Sequence, residues 1–139
     1  MKFKTLIAAL ILSFLVSGCM GYKNYADFKA HIKPSDYDVT ITKADFNTAK
    51  ASILNNTPRC FASRYNMPGE CKVYKLTSRS LEIGCYRKYE GKVVDFAPYI
   101  KAEKIDNTHV KTSIYGDSII NTIVVEWIKG EHQMCPSIL

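Results

Sequence analysis

Glycine and proline are scarce in this 139-residue chain, at seven and five residues, and neither recurs at a fixed period. That excludes collagen-like and low-complexity chains. Long apolar runs are scarce as well. The one stretch apolar enough to meet a membrane lies at the extreme N-terminus, so the chain is not a polytopic membrane protein. With 23% charged and 47% hydrophobic residues it is not a disordered tail either. At ~100–200 residues per domain, the length allows one domain.

The motifs of familiar chemistry are missing too. There is no G-x-S-x-G elbow, phosphate loop or Gly-rich dinucleotide loop. No cysteine pair has C-x-x-C spacing, and His31, His109 and His132 are scattered, which argues against a metal site. Glu82 and Glu90 are the carboxylates nearest to a glycosidase-like pair, but both are flanked by Lys or Arg and read as solvated charges. His109 reads as an exposed strand histidine without a nucleophile, and His132 lies in a polar tail. The expectation is a protein that is not an enzyme, with no catalytic residue and no cofactor. No nucleic-acid-binding motif accompanies the formal charge of +6, so nucleic acid is not an expected partner.

What is present begins with an address. Lys2 and Lys4 precede a short apolar run from Thr5 to Val16, and Ser17-Gly18-Cys19 closes it, the layout of a secretory signal. Leu15-Val16-Ser17-Gly18-Cys19 resembles the lipobox of bacterial lipoproteins: an aliphatic residue, two small residues, then cysteine. The resemblance implies a diacylglyceryl group on the Cys19 thiol, cleavage before Cys19, and acylation of the new amine. Two or three acyl chains on one residue give essentially permanent anchoring. Residue 20 is Met rather than the Asp that resembles an inner-membrane retention signal, so the outer membrane is the expected address; a Gram-positive host would keep the protein on the outer face of its single membrane. Residues 1–18 are then the signal, 19–37 the lipidated N-terminus and a tether with one short helical turn near Tyr25 to Ile32, and 38–139 a single domain.

Two of the nineteen basic residues leave with the signal, and the remaining seventeen against thirteen acids give +4. The excess is concentrated: residues 59–111 hold eleven Lys/Arg against six acids, a balance that suits anionic lipid headgroups or another acidic surface.

Hydrophobic periodicity places a short strand around Val39 and Ile41. A helix capped at Thr42 follows, with Phe46, Ala49 and Ile53 inward, stopping at Asn55-Asn56-Thr57-Pro58. From Cys60 to Tyr115 the period becomes two. Strands are expected over 60–65, 71–77, 81–87, 92–105 (broken near Pro98) and 108–115, with turns at Pro68-Gly69, Ser78-Arg79, Glu90-Gly91 and Asp106-Asn107. Ile119, Ile120, Ile123, Val124, Trp127 and Ile128 then mark a helix ended by Gly130. The expected fold is α+β: an antiparallel β-meander with two helices packed on one face, a two-layer sandwich. This order is similar to that of small bacterial envelope lipoproteins, a likeness carried by Trp127-Ile128-Lys129-Gly130 and Cys135-Pro136.

Cys60, Cys71, Cys85 and Cys135 read as two disulfides, with three possible connectivities. Residues 71 and 85 are equidistant from residue 78, so a hairpin turning there sets them opposite one another at bridging distance. Cys71–Cys85 with Cys60–Cys135 is therefore expected; the rival joins Cys60 to Cys71 and Cys85 to Cys135.

Tyrosine is the one excess, at nine residues, and most of them fall in the meander among Arg and Lys. Tyr74, Tyr86, Arg87 and Lys88 are the expected binding residues, since Tyr and Arg are enriched at interface hot spots. The expected function is a non-catalytic, membrane-anchored binding or accessory protein of the periplasm or cell surface, with an envelope protein or anionic envelope polymer as partner. The alternatives are a structural accessory subunit of a secretion or conjugation apparatus, and a small hydrolase or lysozyme inhibitor. The inhibitor is disfavoured because a basic chain repels basic lysozymes.

Overall fold

Strands alternate with polar turns through the centre of the chain, and a computed structural model shows how the flanking helices close over them. It describes residues 22, 24–62, 69–90, 92–131 and 135. The lipobox and Cys19 lie outside the described residues.

Helix α1 (Tyr25–His31) and a 3₁₀ turn (Pro34–Asp36) lead into β1 (Asp38–Lys43) and α2 (Phe46–Phe61). Strands β2 (Gly69–Leu76), β3 (Ser80–Tyr89), β4 (Lys92–Lys104) and β5 (His109–Tyr115) follow, then α3 (Ser118–Lys129). The sheet is antiparallel throughout, in the order β1-β5-β4-β3-β2. Thus β2 to β5 form the expected meander, and β1 closes its far edge against β5. The fold is α+β, with helices packed on the sheet.

The first face carries Leu81, Ile83, Cys85, Ile100, Ala102, Val110 and Ile114, all buried beneath α2 and α3. Trp127 of α3 is fully buried and stands 6.0 Å from the Phe61 ring of α2. The signals at the ends of α3 act as their chemistry requires. Asp117 accepts from the Ile119 amide, and Gly130 takes the left-handed angle φ 75° that ends the helix. β-Branched residues weaken a helix, but the buried stripe of Ile120, Val124 and Ile128 outweighs that.

Four expectations need correction. The cap of α2 is Asp45, whose carboxylate accepts from the Thr48 amide at 2.9 Å, while Thr42 is a buried residue of β1. That helix does not stop before Pro58. It runs through it to Phe61, so Cys60 and Phe61 are helical, and the rest of the strand expected over 60–65 lies outside the described residues beyond Ala62. A proline costs an interior helix ~3 kcal/mol, but the last turn here buries Phe61 and carries the bridge from Cys60 to Cys135. Likewise β4 is not broken at Pro98. The ladder with β3 shifts register between Gly84 and Tyr86, opposite Ala97 and Pro98, so the residue without an N–H falls where pairing is interrupted anyway.

The fourth correction concerns the tether. From Tyr22 onward, the stretch read as a spacer is part of the folded domain. Asn24 caps α1 by accepting from the Asp27 amide, and Phe28 is 0% exposed on the second face of the sheet. A third helix therefore covers the face that a two-layer sandwich leaves bare.

Both expected disulfides are present. Cys71 pairs with Cys85 across the β2–β3 hairpin at a Cα separation of 4.0 Å, and Cys60 pairs with Cys135 at 5.1 Å. The hairpin turns at Thr77–Ser80, where the Thr77 hydroxyl accepts from the Arg79 and Ser80 amides.

Candidate functional site

Alternation along β2 and β3 sends Tyr74 and Tyr86 to the second face, and the register shift between β3 and β4 sets both Phe96 and Tyr99 there, where α1 meets them. Gly84 makes this possible. A Cβ there would fall 2.7 Å from the Tyr99 ring and 3.2 Å from that of Tyr74, so only glycine leaves room for both. Phe28 stacks on Phe96 at 5.1 Å and meets Tyr99 and Tyr115 edge-on. Tyr25 lies flat on Tyr74, with ring centroids 3.7 Å apart and planes 6° apart.

A hydrogen-bonded chain runs through this cluster. The Tyr99 hydroxyl donates to Glu82 at 3.0 Å and lies 3.0 Å from the Tyr25 hydroxyl, which must then be the donor to Tyr99. Glu82 also faces the Lys101 ammonium at 3.7 Å. Burial, the bond to Tyr25 and the Glu82 charge hold the Tyr99 phenol far above its ordinary pKa. Burial first, and then neighbouring charge, pushes Tyr37 and Tyr74 up to about 12 each. Lys29 is shifted the other way, below the usual lysine value, by burial and by the Lys101 charge.

Lysines surround the aromatic cluster. Lys29 stands over the Tyr99 ring, Lys72 over Tyr74, Lys88 over Tyr86 and Lys101 over Tyr37, all between 5.2 and 5.7 Å from the ring centroids. Glu70 accepts from the Tyr86 hydroxyl at 2.6 Å and pairs with Lys88 at 3.5 Å, and these two contacts hold its carboxyl below the ordinary value. Of the residues expected to bind, Tyr74, Tyr86 and Lys88 thus come together on one face. Arg87 stands between the last two on β3, half-buried and in register with Gly69 and Asp95.

Tyr25, Phe28, Lys29, Tyr37, Glu82, Tyr99 and Lys101 were not among the expected site residues. The helical turn expected near Tyr25 to Ile32 is α1, and the signal for its buried face was there too: Tyr25, Phe28 and Ile32 are spaced i, i+3, i+7.

No protein-family model matches the chain, and no curated protein does. What the site does must be read from its own chemistry.

Beyond the aromatic cluster the second face is open. On β1, Val39 and Ile41 are 55% and 61% exposed, and a recess of about 210 Å³ lies among Pro34, Tyr37, Val39, Lys101, Glu103, Lys111 and Ser113. Among the described residues, no three His, Cys, Asp or Glu side chains come close enough to share a metal ion. Among the described residues, the one grouping reminiscent of a nucleophile and base is Thr108, His109 and Asp106. There the Thr108 hydroxyl (2.9 Å) and the Asp106 carboxylate (3.1 Å) both address the same ring nitrogen, Nδ1 of His109. A relay needs the two ring nitrogens to serve different partners, so this cluster pins the β4–β5 turn.

The phenol shifts set a test of the cluster. Because the folded state keeps protons on Tyr37, Tyr74 and Tyr99 that the unfolded state releases near pH 10, the stability they confer is complete below pH 10 and is lost as pH rises toward 12. Alkaline titration followed at 295 nm is expected to show these three tyrosines ionising late, with Tyr99 last. A single step near pH 10 for all nine would contradict the packing described.

Proposed function

We propose that the chain is a lipid-anchored, non-catalytic protein of the bacterial cell envelope that binds its partner on the second face of the sheet. One observation supports the anchor most. The two bridges consume Cys60, Cys71, Cys85 and Cys135, so of the five cysteines Cys19, at the end of the lipobox-like segment, is the one these bridges do not use. Paired disulfides also suit an oxidising, exported compartment. The binding role is supported by Lys72, Lys88 and Lys101 standing over the half-buried Tyr74, Tyr86 and Tyr37, beside a strip that exposes Val39 and Ile41.

Changing Cys19→Ala is expected to abolish incorporation of labelled fatty acid and to release the protein from the envelope fraction. Labelling and fractionation unchanged in that variant would refute the anchor.

A further inference from the structure

We propose that the second face, with α1, rests on the anionic lipid surface in which Cys19 is anchored. This rests on the anchor reading above and names the partner of that face.

Chain length carries the first part. Cys19 and Tyr22 are three residues apart, which span at most about 11 Å. Tyr22 is fixed on the second face: its ring meets Phe28 edge-on at 5.1 Å and lies 6.3 Å from His31. Helices α2 and α3 lie across the sheet from it. At about 10 Å per packed layer, their outer surfaces are more than roughly 20 Å from α1. A leash of about 11 Å does not let them reach the bilayer. A free spacer over 19–37 would span about 60 Å and leave every orientation open.

Chemistry carries the second part. Lys29 and Lys33 stand on and just after α1, Lys101 and Lys111 line the recess, and Lys43 ends β1. Tyr22, Tyr25 and Tyr37 sit half-buried among them, beside exposed Val39 and Ile41. Amphipathic rings, lysines and a few aliphatic side chains at one level are the composition of a membrane–water interface. Lys72 and Lys88 extend the same face, and its carboxylates are Asp27, Asp36, Glu70, Glu82 and Glu103. Most of these are engaged. Asp27 faces His31 at 3.1 Å, Asp36 accepts from the Lys33 amide, Glu70 is held by Tyr86 and Lys88, and Glu82 by Tyr99 and Lys101. Asp106, in the turn at the far end, is held by Thr108 and His109. Each surplus lysine favours an anionic surface by about fivefold. With Asp106, which shares its end of the sheet with Lys43, six carboxylates stand against seven lysines, and a surplus of one is too small to recruit the domain from water, but it orients one already tethered there.

The test uses the lipidated full chain in vesicles of phosphatidylethanolamine and phosphatidylglycerol. Lysines are acylated with a water-soluble amine reagent and rates are read by mass spectrometry, before and after the vesicles are dissolved in nonionic detergent. Lys29, Lys33 and Lys111 are expected to react at least about fivefold more slowly in the vesicles, with Lys50 of α2 and Lys129 of α3 unchanged. Equal rates in both states, or slowing of Lys50 and Lys129 to the same degree, overturns the inference. The mass of the Cys19 peptide from the same sample separates the two claims. Without the diacylglyceryl group the anchor reading falls and takes the inference with it; with the group and no protection, only the orientation falls.

Discussion

Replacing Cys60 and Cys135 together by alanine is expected to cost the domain about 4–5 kcal/mol and to lower its melting temperature by roughly 20 °C. The bridge joins residues 75 apart in sequence, which is most of the folded chain. Cutting it returns that loop's closure entropy to the unfolded ensemble. The same reasoning gives about 3 kcal/mol for Cys71–Cys85, whose partners are only 14 residues apart. The hairpin bridge is also backed by its own ladder on both sides, from Gly69↔Arg87 to Leu76↔Leu81. The other bridge has no ladder to share the load: it ties the last turn of α2 to the segment after α3. The order of effects is therefore the sharper claim. Urea unfolding of the two double variants measures it, and a hairpin variant that loses more stability than the Cys60/Cys135 variant would refute it.

Most of the sheet and α3 were legible because local signals and tertiary packing agree there. The apolar stripe, Asp117 cap and Gly130 stop of α3 all point to one helix, and the structure has it. Cys71 and Cys85 face each other because the turn between them is symmetric in sequence, a short-range fact. The failures lie where a long-range contact overrides a local rule. Pro58 signals a stop, and the rule yields to the buried Phe61 and the bridge at Cys60. Pro98 signals a break, and a register shift in the neighbouring strand removes the reason for one. For helix α1 the short turn expected near Tyr25 to Ile32 is present, and what was missed is its docking on the sheet. Seven residues with lysine, histidine and aspartate hold little helical propensity of their own, and only the rings of Phe96, Tyr99 and Tyr115 give Phe28 a place to go. Half of the candidate site depends on that docking, so Tyr74, Tyr86 and Lys88 could be read from strand alternation while Tyr25, Lys29 and Tyr37 could not.

Phe28→Ala is the substitution expected to separate the anchor from the orientation. Phe28 is fully buried and packs against three rings, and truncating such a residue ordinarily costs 3–5 kcal/mol. A seven-residue helix has no stability in water by itself. The loss therefore falls on the docking of α1, and the core beneath α2 and α3 remains folded. Amide hydrogen exchange over residues 25–31 is expected to rise by about a hundredfold or more, with β3, β4 and α3 little changed. The loss of cover should also bring the Tyr74 phenol down from about 12 toward its ordinary value, because its stacking partner Tyr25 leaves with the helix. In vesicles, the leash lengthens from about 11 Å to about 60 Å, so protection of Lys111 should vanish while the lipid on Cys19 stays. Unchanged exchange over 25–31 would show that Phe28 does not hold the helix down. Rapid exchange with Lys111 still protected would show that the second face finds the bilayer without the short leash.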